Sequence, residues 1–237
     1  MNVKGKTVLV TGGSQGLGEQ LCRELAGAGM KVIVNCAHHA ERARKIAEEI
    51  GGCAMVFDIA DPEEVRNAFA EIRELHVLIN NARLDPYKRP SSMSDAEWFD
   101  RMIGVNLKGP YLCSLAAAEK MKNGGKIVNL SSVWAYRAAT RKMMEYAMSK
   151  AALHSLSRTL AALLAPGILV NTVAPGMIES KEMTERLTPQ ELEALRKTIP
   201  LKRGGCAFEI CMAVRFLLEN DYITGEILNI NGGTQFV

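Results

Sequence analysis

Short apolar runs, rich in β-branched residues, alternate along the chain with longer segments whose apolar residues recur every three or four positions. The first run is Thr7-Val8-Leu9-Val10, and a helical pattern follows the glycines after it as far as about Gly29. Residues 31–35 form a second run, 53–58 a third, 77–80 a fourth, 126–130 a fifth, 168–173 a sixth and 227–230 the last. Between them the pattern predicts helices over 40–50, stopped by Gly51-Gly52, and from Pro62, with Asp61 as N-cap. Another helix starts near Ser94-Asp95 and is interrupted around 104–110; others cover 146–164, halted by Pro166-Gly167, and 208–218. Residues 177–205 are polar, carry Pro189, Pro200 and Gly204-Gly205, and predict short helices without a strand. Strands alternating with helices of this length specify an α/β protein: a doubly wound parallel sheet of about seven strands with helices on both faces. At 237 residues the chain is the size of one such domain, 1–237, with neither repeat nor linker.

In a parallel sheet ligands bind beyond the carboxyl ends of the strands. That rule puts Gly12 to Gly18, Cys36-Ala37, Asp58-Ile59 and Asn80-Asn81-Ala82 along one edge. The first of these follows a strand and opens a helix, a context in which glycines let the backbone turn tightly and present helix N-terminal N–H groups to a phosphate. Their spacing, at 12, 16 and 18, is neither Gly-x-Gly-x-x-Gly nor a Walker loop.

Composition narrows the function classes. Apolar residues make up 48% and charged residues 23%, the balance of a globular enzyme, and the net charge of +3 comes from scattered basic residues. Nothing here supports nucleic-acid binding. No apolar run approaches the ~20 residues of a membrane span, and the N-terminus has no signal-peptide pattern, so a cytoplasmic location is expected. The six cysteines contain no Cys-x-x-Cys; they predict free thiols, mostly small buried hydrophobes, and no metal site.

Candidate chemistry lies in Tyr146-Ala147-Met148-Ser149-Lys150. On a helix, residues four apart share a face, so the phenol of Tyr146 and the ammonium of Lys150 meet in one volume. A tyrosine ionises near ~10, and a neighbouring cation favours the phenolate, which would make Tyr146 a tuned acid/base.

Together these segments resemble the short-chain dehydrogenase/reductase family, in particular its 3-oxoacyl-[acyl-carrier-protein] reductases. The resemblance runs from Lys6 to Gly233 and rests on Thr11-Gly12-Gly13-Ser14-Gln15-Gly16-Leu17-Gly18, Asp58, Asn80-Asn81-Ala82, Asn106, Ser132, Tyr146 with Lys150, Pro175-Gly176, Ile223-Thr224-Gly225 and Asn231-Gly232-Gly233. It implies a Rossmann-like fold with a cofactor half over about 1–110 and a catalytic and substrate half over about 111–237. It further implies hydride transfer between NADP(H), or NAD(H), and a carbonyl or secondary alcohol. Tyr146 would be the general acid/base, and Lys150 would lower its pKa and bind the nicotinamide ribose. Ser132 would hydrogen-bond the substrate oxygen, and Asn106 would hold a relay water. Ser131 is the alternative to Ser132, but neighbouring strand residues face opposite ways and only one can serve.

For the cofactor the resemblance implies Gly12, Ser14, Gln15, Gly16, Leu17 and Gly18 at the pyrophosphate and ribose, Asp58 and Ile59 at the adenine, and Asn81 with Ala82 at the adjoining ribose. Pro175, Gly176, Ile178 and Ser180 would meet the carboxamide and phosphate. Cys36 and Ala37 stand where an NAD enzyme carries an acid, and His38, His39, Arg42 and Arg44 are the nearby cations, which favours NADP. A homotetramer or dimer is implied, acting on a small or carrier-linked carbonyl substrate. The alternative is a catalytically weak dinucleotide-binding sensor or scaffold. Two residues depart from the family pattern: His76 replaces an aspartate, and Arg83 stands in place of the glycine of Asn-Ala-Gly. A side chain at 83 is expected to turn from the dinucleotide towards the pocket mouth.

Overall fold

A computed structural model describes residues 1–236. Seven strands, β1 (Thr7–Val10), β2 (Lys31–Cys36), β3 (Cys53–Val56), β4 (Val77–Asn80), β5 (Gly125–Leu130), β6 (Ile168–Pro175) and β7 (Ile227–Ile230), form one sheet in the order β3-β2-β1-β4-β5-β6-β7. Every pairing is parallel. The helices are α1 (Gly16–Gly27), α2 (Ala40–Glu49), α3 (Pro62–Glu71), α4 (Asp95–Ile103), α5 (Gly109–Lys120), α6 (Met144–Leu164), α7 (Lys181–Arg186), α8 (Pro189–Thr198) and α9 (Ala207–Glu219).

Residue alternation divides the core between the two sheet faces. Val8, Val10, Val32 and Val34 pack with Leu21 of α1, Ile46 of α2 and Val214 of α9, whereas Leu9, Ile33, Leu78 and Ile127 pack with Phe69 of α3, Cys113 of α5 and Leu160 of α6. Both faces are covered, which is why the strands read as continuous apolar runs. A smaller cluster joins Trp98 and Met102 of α4 to Met143 and Tyr146 at the start of α6.

Several boundaries differ from those expected. The third strand stops at Val56 instead of 58, because the Asp58 N–H donates to Glu64 Oε2 at 2.7 Å and leaves the ladder. The sixth strand runs two residues further, to Pro175, since β7 extends beside it and pairs Ile230 with Pro175. The interruption at 104–110 is a π-helical turn, Gly104–Lys108, joining α4 to α5. Of the six cysteines, Cys53 and Cys206 are exposed.

Candidate active site

Strand order reverses between β1 and β4, so their carboxyl ends diverge and leave a crevice. The glycine loop fills the β1 side. Gly12 has φ +63, and a Cβ there would lie 2.9 Å from Ala82 Cα; a Cβ on Gly18 would lie 2.6 Å from the Asn81 amide nitrogen. The loop is thus pressed onto the end of β4, and only glycine fits at these two positions. Thr11 sews the two together: its Oγ1 accepts from the N–H groups of Asn81 at 3.0 Å and Ala82 at 3.1 Å. Asn81 Nδ2 returns a bond to Thr11 O at 2.9 Å, and Asn35 Oδ1 accepts from Gly12 N at 3.2 Å. Sequence reasoning missed Thr11 and Asn35 as organising residues; a polar side chain at the end of each central strand was the available signal.

Beyond this clamp the loop is open. Gln15 and Gly16 are exposed, nothing would crowd a Cβ on Gly16, and no side chain caps the N-terminus of α1. Backbone N–H groups at an uncapped helix start suit an anionic pyrophosphate, so the residues present fit a dinucleotide. Ser14 is buried and Leu17 packs on the core below. At the end of β2, Cys36 is buried and Ala37 exposed; burial raises the Cys36 thiol, while the His39 backbone and then the charge of Arg44 pull it down. Arg42 is instead held by Glu19, at 2.9 Å. Asp58 is half-buried, its Oδ1 accepting from Ala60 N, while the Ile59 side chain is buried in the core. Pro175 ends β6, Gly176 N donates to Ile230 O, Ile178 bridges Gly205, and Ser180 caps α7.

Ser132, Tyr146 and Lys150 come together on the β5 side. Tyr146 is 8% and Lys150 2% exposed, and the Lys150 ammonium lies 5.7 Å from the centre of the Tyr146 ring. Lys150 Nζ donates to Leu130 O at 2.7 Å, which fixes it beneath the end of β5. Ser132 Oγ accepts from Trp134 N, capping a short 3₁₀ turn. Its neighbour Ser131 faces the other way, with Oγ 2.7 Å from His154 Nε2 and 3.2 Å from Lys150 O. Burial drives His154 down to about 4, so Ser131 meets a neutral imidazole.

Electrostatics here departs from expectation. Burial raises the Tyr146 hydroxyl; the charge on Arg83 is the largest influence pulling it down, followed by Ser132, and Asp85 adds to the rise. Lys150 is itself driven down to about 7, by burial first and Arg83 second. The burial that surrounds the phenol also disfavours the ammonium's charge, and Arg83 is the cation that pulls most on Tyr146.

Asn106 sits in the π-helical turn, fully buried. Its Oδ1 accepts from Leu84 N at 2.8 Å and its Nδ2 donates to Ser149 Oγ at 3.1 Å. Arg83 lies between two clamped neighbours, Ala82 on Thr11 and Leu84 on Asn106, and its side chain is 46% exposed with Nη1 3.9 Å from Asp85 Oδ2. Asp85 in turn lines a cavity of about 240 Å³ with Tyr87, Lys88, Glu185 and Arg186. Across it the Arg186 guanidinium stacks 3.8 Å from the Tyr87 ring centre, with Lys142 at 4.6 Å.

A family model described as enoyl-(acyl carrier protein) reductase matches residues 12–235. The chain is 36% identical over 248 residues to a 3-oxoacyl-[acyl-carrier-protein] reductase of Escherichia coli, covering all of both chains. It is 37% identical over 254 residues to an uncharacterized oxidoreductase of Thermotoga maritima, again covering all of both. Among solved structures, a short-chain dehydrogenase from Burkholderia cenocepacia in complex with NADP superposes with a TM-score of 0.88 at 32% identity, covering 99% of each chain. A gluconate 5-dehydrogenase of the same organism, in complex with NADP and tartrate, gives 0.88 at 29%, covering 98% of this chain and 96% of the other.

Proposed function

Since the chain belongs to the short-chain dehydrogenase/reductase family, we propose that it is an NADP(H)-dependent reductase of a ketone, of the 3-oxoacyl type or a related one, with Tyr146 as general acid. The observation that carries this reading is the convergence of Tyr146, Lys150 and Ser132 at the carboxyl edge of β5, across the crevice from the open glycine loop. When bound, the dinucleotide supplies a hydride to the carbonyl carbon. Tyr146 donates its proton to the carbonyl oxygen, and Ser132 hydrogen-bonds that oxygen as charge develops on it. Lys150, held by Leu130 O, stands beside the phenol and would bind the nicotinamide ribose. Asn106 acts in this reading by position: its amide ties the strap at Leu84 to Ser149 of α6 and so sets the distance between them.

NADP is favoured because β2 ends in Cys36 without an acid that would repel a 2′-phosphate, and Arg44 stands near. The single sheet supports one catalytic unit over 1–237 whose first half, about 1–110, holds the cofactor. Exposed apolar side chains on α5 (Tyr111, Leu115) and α9 (Phe208, Met212, Phe216) support a homo-oligomer. No helix among the described residues is long and apolar enough to cross a membrane.

The experiment is dinucleotide oxidation against a panel of oxo and enoyl substrates, with Tyr146→Phe beside the natural protein. Ketone-dependent oxidation that falls about 10²- to 10⁴-fold in the variant, with dinucleotide affinity retained, is expected. Binding without turnover on any substrate supports the sensor reading, and turnover on enoyl compounds alone supports the activity named in the family description.

A further inference from the structure

We propose that Arg83 recognises a carboxylate on the substrate, near the carbonyl that Tyr146 protonates, and that Asp85 is only a weak ionic partner of the guanidinium, displaced when that carboxylate arrives. The inference rests on the ketone-reductase reading and narrows it to small oxo acids with a free carboxyl group.

Three features lead there. First, the backbone either side of Arg83 is immobilised, by Thr11 Oγ1 on Ala82 N and by Asn106 Oδ1 on Leu84 N. The side chain therefore leaves from a fixed point at the ligand edge of β4, where binding residues on rigid supports gain precision. Second, its donors are uncommitted. Among the described residues Arg83 makes no hydrogen bond, and its one ionic contact, to Asp85, is 3.9 Å, too long for a hydrogen bond. Asp85 is engaged elsewhere, its Oδ1 accepting from Tyr87 N at 2.9 Å. A planar fork with five free donors matches a carboxylate in a two-bond geometry that Asp85 does not supply. Third, Leu84, the next residue, packs on the cluster that contains Tyr146, so Arg83 leaves the chain beside the reacting phenol, within electrostatic reach of Tyr146 and Lys150 and next to Asp85 on the wall of the adjoining cavity.

Position decides the kind of anion. Lys142 and Arg186 flank Tyr87 beside the cavity that Asp85 lines, and are the cations that a carrier phosphate would meet there. Arg83, next to Leu84 on the Tyr146 cluster, is placed instead for an anion of the small substrate itself.

The test uses the protein with NADPH and compares acetoacetate, its longer homologues and their methyl esters in steady-state kinetics. The natural protein should favour acid over ester in kcat/KM. In Arg83→Gln that ratio should fall by about 10- to 100-fold, the loss expected for a charge-assisted hydrogen-bonded pair, mainly through KM for the acid. Arg83→Lys, which keeps the charge and loses the fork, should recover part of it, and Asp85→Asn should lower KM for the acid. Calorimetry gives a readout free of turnover: with NADP⁺ bound, 3-hydroxy-3-methylbutanoate should bind at least about tenfold tighter than its amide, and Arg83→Gln should abolish the difference. An acid-to-ester ratio near one in the natural protein, or a ratio and a calorimetric preference unchanged in Arg83→Gln, overturns the assignment. Turnover of esters or carrier thioesters with no gain from a free carboxylate overturns it while leaving the ketone-reductase reading intact. Failure of every ketone to oxidise NADPH counts against that reading, and the calorimetric comparison still decides Arg83.

Discussion

Burial acts on Tyr146 and Lys150 in opposite senses, raising the phenol and lowering the amine to about 7. The lysine value has a consequence for stability. Between about 7 in the fold and the ordinary lysine value of 10.5, the unfolded chain binds a proton that the folded chain does not. Stability of the ligand-free protein therefore gains a contribution as pH rises through that window, and loses it as pH falls towards 7. Lys150→Met should flatten the dependence of the urea midpoint on pH between about 7 and 10; an unchanged slope would show that Lys150 stays charged in the fold. The dinucleotide preference is also a matter of one residue. Cys36→Asp places a carboxylate at the end of β2, where it should repel a 2′-phosphate and move the ratio of NADP to NAD affinity towards NAD. A natural protein that already binds NAD more tightly would refute the NADP assignment. At this scale the identities and spacing of Tyr146, Lys150 and Ser132 were legible in the chain, since i,i+4 pairing and a strand end follow from local pattern. The sign of the shift on Tyr146 was not, because it depends on how much solvent the surrounding helices remove and on Arg83, which is 63 positions away in sequence.

The glycine loop and the π-helical turn show how far local chemistry specifies an element. Both Gly12 and Gly16 adopt positive φ, +63 and +55, but only Gly12 is packed against β4. Gly16→Ala should therefore cost about 1–2 kcal/mol through the left-handed backbone alone. Gly12→Ala adds a Cβ 2.9 Å from the Ala82 backbone, so it should destabilise further and weaken dinucleotide binding, because the loop and β4 must part. Denaturant midpoints and dinucleotide titrations of the two variants check the contrast; equal effects would mean that the packing of Gly12 on Ala82 is immaterial. The break near Gly104 to Pro110 was evident from residue types. Its form, a π turn that aims Asn106 at Leu84 and Ser149, follows from partners that come from two other elements. Likewise the end of β3 was set by Glu64 of α3 capturing the Asp58 N–H, a contact that strand propensity does not contain.

Across the molecule, a buried polar ribbon joins the two halves of the site. Asn80 Nδ2 donates to Asn129 Oδ1 at 2.8 Å, Asn129 Nδ2 to Ser157 Oγ at 2.8 Å, and Thr172 Oγ1 to the same Ser157 Oγ at 2.8 Å. The ribbon crosses β4, β5 and β6 and ends on α6, the helix of Tyr146 and Lys150. Asn129→Leu keeps the volume but removes one hydrogen bond from Asn80, which retains Ser114, and one from Ser157, which retains Leu153 O and Thr172, at about 0.5–1.5 kcal/mol per lost bond. It should lower the urea midpoint and, by letting α6 shift on the sheet, reduce turnover more than dinucleotide affinity; a stable variant with full turnover would remove the ribbon from the positioning of α6. The sequence by itself determined the parallel sheet, the glycine loop and the Tyr146–Lys150 spacing, because each follows from periodicity or from contacts within a few residues. Only the tertiary structure decided that Ser131 turns to His154 while Ser132 stands with Tyr146, that Glu19 takes Arg42, what burial does to Tyr146 and Lys150, and where Arg83 stands. Those outcomes depend on residues distant in the chain that meet only when the strands are laid side by side, and a one-dimensional pattern carries no record of that meeting.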